Sequence, residues 1–107
     1  MNKRQIRVMA DYCANPLWNG DIGTGPLTTD EIEELVTSYT LREELYEWQA
    51  MYETNTDYLP ADAGQYRKFD YEYFNKWGIA IAHKLARDLP HCEILYFDEI
   101  DQKYLQI

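Results

Sequence analysis

The stretch Cys92-Glu93-Ile94-Leu95-Tyr96-Phe97 is nearly continuous in apolar character. A short apolar run of this length, rich in aromatic and branched residues and with Pro90 just ahead of it, is typical of a buried strand. We therefore expect residues 92–97 to form a strand in the core, with the rest of the fold packed around it.

The segment before this strand has the pattern of a helix. Asp70 is in position to cap its N-terminus, and Phe69 and Phe74 are spaced as a hydrophobic staple. Pro90 closes it. Its buried stripe recurs at helical spacing and comprises Phe74, Trp77, Ile81 and Leu85. Gly78 in mid-helix costs about 1 kcal/mol relative to alanine, so we expect another backbone to pass close to it.

Two capping boxes indicate two earlier helices. Thr28 with Glu31 begins a helix that runs to about Val36, and Thr40 with Glu43 begins another that runs to about Thr54. The second helix has one apolar face, formed by Leu41, Leu45, Trp48 and Tyr52. A single bent helix over residues 29–54 is the alternative.

The N-terminal region predicts a second strand. Residues 5–11 alternate between Ile6, Val8 and Ala10 on one face and more polar side chains on the other. A long loop rich in glycine and proline follows, from Tyr12 to Leu27. The tail, residues 98–107, is open between a third strand, a short helix and a loosely docked end.

These elements predict a single α/β domain over residues 1–107, with a small two- or three-stranded sheet packed by about three helices in β-α-α-α-β order. The chain length leaves room for one hydrophobic core. Because an odd number of antiparallel helices separates the two strands, we expect these strands to be parallel. The crossover between them should be right-handed.

The net charge of −9 is concentrated in one part of the chain. Residues 21–57 hold ten acidic residues and a single basic one, Arg42. Such a field repels nucleic acid and membrane surfaces and attracts basic partners. There is no apolar run long enough to span a membrane, no signal-peptide pattern and no disulfide framework. We expect a cytoplasmic protein that binds neither nucleic acid nor membranes.

The sequence carries no motif for catalysis, nucleotide binding or metal binding. Cys13 could act as a nucleophile with His83 or His91, but nothing places a histidine beside it. These three residues and Cys92 also lack the paired spacing of a metal site. The glycines at positions 20, 23 and 25 lack a lysine and lead into an acidic helix start, which opposes phosphate. We predict no enzyme activity, no cofactor and no metal.

The run Ile6-Arg7-Val8-Met9-Ala10-Asp11-Tyr12, followed by Pro16-Leu17-Trp18, resembles the N-terminus of a group of small bacterial proteins. The aromatic closing strand, Glu93-Ile94-Leu95-Tyr96-Phe97-Asp98, is similar too. The resemblance implies a bacterial source and a compact α/β domain. It implies no catalytic residue, because no activity is assigned to that group.

The acidic segment and its tyrosines point to a protein-binding role. A row of glutamates along consecutive helices can simply keep a protein soluble, but tyrosine beside carboxylate is a composition that suits an interface. The expected function is therefore an acidic immunity-type inhibitor that neutralises a basic bacterial toxin, with a nuclease as the natural candidate because it presents cations to phosphate. The predicted contact residues are Glu33, Glu34, Glu43, Tyr46, Glu47, Asp57, Tyr58 and Tyr66.

Two alternatives stay open. The first is a small ligand-binding or regulatory domain that uses the Tyr12–Leu27 loop as a pocket, with Cys13, Asn15, Trp18 and Asp21 around it. The second is a homodimer or larger homo-oligomer in which the acidic face serves solubility alone.

Overall fold

A computed structural model describes residues 3–64 and 66–107. Its elements are β1 (Arg4–Val8), β2 (Leu17–Asn19), α1 (Thr29–Leu35), α2 (Tyr39–Glu53), α3 (Tyr71–Asp88), β3 (Cys92–Asp98) and β4 (Lys103–Gln106). The mixed α/β class and the three helices confirm the prediction. The sheet is larger than predicted.

The sheet has four strands in the order β2-β1-β3-β4. Its centre is the parallel pair β1 and β3, as predicted, with Ile6 opposite Ile94 and Val8 opposite Tyr96. The prediction of two or three strands in β-α-α-α-β order is wrong, because each end of the chain adds an antiparallel strand. The observed order is β-β-α-α-α-β-β.

The inner face of the sheet packs against α2 and α3. Trp48 of α2 stacks on Phe74 of α3, with ring centroids 4.5 Å apart, and lies 6.1 Å from the ring of Tyr96. A Cβ added at Gly78 would lie 2.4 Å from the Tyr96 ring. Position 78 therefore has to be glycine because the side chain of Tyr96 lies against it. The prediction that another backbone passes close to Gly78 is wrong.

The helix boundaries follow their caps. Thr28 forms the predicted capping box of α1, and Asp70 accepts from the backbone N–H of Tyr73 at the start of α3. The predicted cap of α2 is wrong: Ser38 accepts from the N–H of Leu41, and the helix begins at Tyr39 rather than after Thr40. The single bent helix is also wrong, since residues 36–38 separate α1 from α2.

The outer face of the sheet holds a buried arginine. The strand pattern places Arg7 away from the core, yet only 4% of it is exposed. Its guanidinium lies over the rings of Trp18 and Tyr104, 5.6 and 5.7 Å from their centroids. It donates to the carbonyls of Asn19 and Asp21. These hydrogen bonds from Arg7 hold the segment after β2 against the outer face of the sheet.

Candidate functional site

Four of the predicted contact residues lie on α1 and α2, and we call them the helix face: Glu33, Glu43, Tyr46 and Glu47. The three glutamates are exposed and Tyr46 is half-buried. Burial raises the pKa of the Tyr46 hydroxyl, and the nearby carboxylates of Glu33 and Glu43 raise it further, although Arg42 opposes them. The helix face is therefore a real cluster of negative charge across two helices.

The other four predicted residues lie elsewhere. Asp57 and Tyr58 follow the C-terminus of α2 and are exposed. Glu34 lines a separate cavity with Arg4. Tyr66 is half-buried, and among the described residues no hydrogen bond or ring contact joins it to the helix face. The structure thus divides the predicted set, and whether these residues bind a partner stays a prediction.

A second acidic cluster lies where the carboxyl ends of β1 and β3 meet. Ligands of parallel α/β sheets commonly bind outside this end of the strands. The C-terminus of α2 and the N-terminus of α3 reach the same place, since Gln49 contacts Asp11 and Asn75 contacts Asp98. We call this cluster the carboxyl edge and define it by Asp11, Tyr12, Glu53, Asp57, Tyr58 and Glu99.

Aromatic rings form one side of the carboxyl edge. The ring of Tyr12 lies 5.0 Å from that of Tyr52 and meets that of Tyr58 edge-on at 5.8 Å. Its hydroxyl donates to the backbone carbonyl of Asn55 at 2.8 Å. Tyr12 remains 38% exposed and Tyr58 71% exposed. Sequence reasoning missed Tyr12 as a site residue, because its partners are distant in the chain.

Hydrogen bonds hold the acidic side chains of the edge in place. One oxygen of Glu53 accepts from the backbone N–H of Cys13 at 2.7 Å and from Nε2 of Gln49 at 2.9 Å. Asp57 accepts a short hydrogen bond from the hydroxyl of Tyr71. The carboxylates are therefore presented in fixed positions.

Glu99 is the most perturbed acid of the carboxyl edge. Burial raises its pKa to about 7, the nearby Gln102 amide offsets part of the rise, and the carboxylates of Asp11 and Asp98 add to it. Within residues 3–64 and 66–107, the ion pairs are Lys84 with Glu44 at 2.8 Å and Arg87 with Asp88 at 3.4 Å. Glu99 therefore has no cationic partner in the described part of the chain.

The pKa of Glu44 is shifted in the opposite direction from that of Glu99. Burial by itself would raise the pKa of Glu44, but hydrogen bonds from Lys84 and from the indole of Trp77 outweigh it and lower the pKa. The partly buried carboxylate of Glu44, between α2 and α3, thus has a cation and a hydrogen-bond donor beside it. The partly buried carboxylate of Glu99, at the carboxyl edge, has no such cation among the described residues.

We expect the variant Glu99→Gln to be more stable than the unmodified protein at pH 8. The folded-state pKa of about 7 exceeds the ordinary 4.5, so the stabilising effect of protonated Glu99 is complete below pH 4.5 and is lost as the pH rises through 7. Because solvent screens this partly exposed side chain, the difference should be on the order of 1–2 kcal/mol at pH 8.

Urea denaturation of both proteins at pH 5 and pH 8 measures this difference. The two free energies of unfolding should be nearly equal at pH 5 and should separate at pH 8. An equal difference at both values would show that Glu99 does not titrate between them.

The residues predicted for a loop pocket do not converge. Cys13 and Asn15 line a cavity of about 410 Å³ together with Glu53, whereas Asp21 lines a different cavity. The indole N–H of Trp18 donates to the carbonyl of Met9. Part of this loop is in fact β2.

The described residues also bring no catalytic cysteine pair together. Cys13 follows β1 at the carboxyl edge, whereas His91 precedes β3 at the opposite end of the sheet. Within the same described ranges, no group of three or more His, Cys, Asp or Glu side chains is arranged to hold a metal ion. None of the helices described is both long and apolar enough to cross a membrane.

The chain matches a known protein family. Residues 4–99 fit the model of the family described as Serratia CdiI immunity protein-like. The chain belongs to this family. A search of curated proteins gives no match. The matched segment contains the helix face and the whole carboxyl edge, including Glu99 at its last position.

Membership in the Serratia CdiI immunity protein-like family assigns the chain to the immunity proteins of contact-dependent inhibition. Proteins of this kind neutralise a toxin by binding it. The predicted class of function, a toxin-neutralising inhibitor, is therefore confirmed at the level of the family. The contact surface and the kind of toxin are finer questions, and so is the resemblance based on the Ile6–Trp18 run, which stays a prediction.

Proposed function

We propose that this member of the Serratia CdiI immunity protein-like family neutralises a basic toxin domain by covering it with its acidic surface. The toxin would present a cationic active site, as a nuclease does to bind phosphate. The acidic surface would occupy that site in place of the nucleic acid.

The observation that carries this proposal is the excess of unpaired negative charge. The chain has 19 acidic and 10 basic residues, and only two acidic residues, Glu44 and Asp88, form ion pairs among the residues described. Surface charge of one sign accelerates encounter with a partner of the opposite sign and makes the encounter sensitive to salt.

The helix face is suited to steering. Its glutamates are exposed, and exposed charges at the rim of an interface mainly affect the association rate rather than the dissociation rate. Together with Glu34, Asp57, Tyr58 and Tyr66, the helix face makes up the contact set that we propose from the sequence.

The test is binding to a candidate toxin domain, sought first among the products of the neighbouring genes. We expect tight binding, inhibition of the toxin's activity at equimolar ratio, and an association rate that falls steeply between about 25 and 500 mM NaCl, since salt screens exposed charges. The measurement is stopped-flow or biolayer interferometry across the salt series, together with a nuclease assay.

Two outcomes would contradict the proposal in different ways. If the folded chain neither binds nor inhibits the toxin domain at low salt, this chain is not its immunity protein. If it binds with a rate that is independent of salt, the complex forms without electrostatic steering, and the acidic surface serves solubility alone.

A further inference from the structure

The carboxyl edge combines three features. It contains a half-buried carboxylate with no cationic partner, Glu99, among the described residues. It has exposed rings, those of Tyr12 and Tyr58. It also contains a buried hydrogen-bond acceptor without a donor.

The unsatisfied acceptor belongs to Gln49. This side chain is only 7% exposed, and its Nε2 donates to the carbonyl of Asp11 at 2.6 Å and to Glu53 at 2.9 Å. These two bonds fix which way the amide faces. Its Oε1 is buried and receives no hydrogen bond from any residue of the described ranges. Buried polar atoms are almost always satisfied, so this acceptor is an exception, as is the buried hydroxyl of Tyr46 on the helix face.

The exposed apolar side chains point to a protein as the ligand of the carboxyl edge. Six large hydrophobic side chains are exposed in the described chain, and three of them lie here: Tyr12 and Tyr58, with Ile100 in the turn between β3 and β4. Exposed apolar surface with a polar rim is typical of protein-binding sites. Tyrosine faces also attract cations.

Glu99 is electrostatically linked to Tyr52, whose ring contacts that of Tyr12. Burial raises the pKa of the Tyr52 hydroxyl, and the carboxylate of Glu99 is the next cause, followed by Tyr12 and Asp11. Since the Tyr52 ring lies 5.0 Å from that of Tyr12, a cation placed among these rings would also feel the charge of Glu99.

We propose that the carboxyl edge receives an arginine or lysine side chain of the toxin, with Glu99 as its counter-ion and the rings of Tyr12 and Tyr58 as its walls. Its N–H groups would also reach toward the carboxylate of Glu53. This inference rests on the proposed function and names the part of the acidic surface that holds the toxin after the encounter.

A charge held in a buried position affects dissociation, whereas an exposed charge affects association. We therefore expect Glu99 to destabilise the free protein at neutral pH and to stabilise the complex. Opposite effects of one substitution on stability and on binding are typical of functional residues.

The experiment compares three variants that each remove two charges. The first changes the carboxyl edge, Asp57→Asn with Glu99→Gln. The second changes the helix face, Glu43→Gln with Glu47→Gln. The control, Asp88→Asn with Glu93→Gln, removes two charges at the opposite end of the sheet. The probe is the toxin domain that the unmodified chain binds, and the association and dissociation rates are measured at pH 8 for each variant and for the unmodified chain.

We expect the carboxyl-edge variant to dissociate at least about tenfold faster, and to lose less of its association rate than the helix-face variant, because only Asp57 of its two charges is exposed. The helix-face variant should associate about threefold more slowly and dissociate at the normal rate. The control should do neither. Thermal unfolding of each free variant establishes folding, and Glu99→Gln by itself is expected to raise the melting temperature at pH 8.

The outcomes separate the two proposals. If the unmodified chain binds the toxin and the carboxyl-edge variant dissociates at the normal rate, the inference is wrong and the proposed function stands. If the control variant dissociates as fast as the carboxyl-edge variant, the effect is one of total charge, and the inference is wrong again. If the unmodified chain does not bind, the proposed function itself fails.

Discussion

Replacing Arg7 with alanine should lower the free energy of unfolding by about 2–4 kcal/mol. The guanidinium donates to the carbonyls of Asn19 and Asp21 at 2.6 and 3.0 Å and to the hydroxyl of Tyr104 at 2.8 Å. Alanine would leave these acceptors without their donors and would remove the stacking with Trp18 and Tyr104. Urea denaturation at neutral pH measures the loss.

Two further variants distinguish the cause. Arg7→Lys keeps the charge but loses the planar fork, so it should recover only part of the lost stability. Arg4→Ala changes an exposed residue of the same strand and should alter stability by no more than about 0.5 kcal/mol. If Arg7→Ala were as stable as Arg4→Ala, the buried guanidinium would not be fastening the segment after β2.

Local sequence signals predicted the elements whose caps and stripes lie within a few residues of one another. The box of Thr28 and Glu31 and the cap at Asp70 are both present. The same reasoning chose Thr40 for α2, but a start at Tyr39 adds backbone hydrogen bonds and lets Arg42 donate to the carbonyl of Val36. When two caps are available, such tertiary contacts decide between them.

The strand β2 was missed because it is defined by distant partners. Its three residues are too few to show alternation, and the surrounding glycines and prolines favour a loop. Leu17 becomes a strand residue because it pairs with Val8 on one side and accepts from the N–H of Leu27 on the other. The buried role of Arg7 was missed for the same reason, since its acceptors lie in this segment.

The sequence predicted the acidic character of the surface but not the carboxyl edge. Summed charge directs attention to residues 21–57, where the acids are dense and mostly exposed. Glu99 lies outside that segment. It stands out because it is partly buried and has no cation as an ion-pair partner among the described residues, and counting charges along the sequence reveals neither property. Asp57 and Tyr58 were chosen from composition and do lie at this edge, whereas Glu33, Glu34, Glu43, Tyr46 and Glu47 lie on α1 and α2.

A single polar side chain ties the helices to the carboxyl edge. Asn75 of α3 accepts from the hydroxyl of Tyr96 at 2.7 Å and from the backbone N–H of Glu99 at 3.2 Å. Its Nδ2 donates to Asp98 at 2.9 Å, and Asp98 in turn accepts from the backbone N–H groups of Ile100 and Asp101. Asn75 therefore fixes the turn that presents Glu99.

Replacing Asn75 with alanine should lower the free energy of unfolding by about 2–4 kcal/mol, because the fully buried Tyr96 hydroxyl would lose its acceptor. Adding Tyr96→Phe removes the hydroxyl that has lost its acceptor. The loss in free energy of unfolding for the double variant should therefore be smaller than the sum of the losses for the two single variants. Urea denaturation of the four proteins gives the coupling. Strictly additive effects would mean that the hydrogen bond between Tyr96 and Asn75 contributes nothing to the free energy of unfolding, and that the bonds of Asn75 to Asp98 and Glu99 account for its effect.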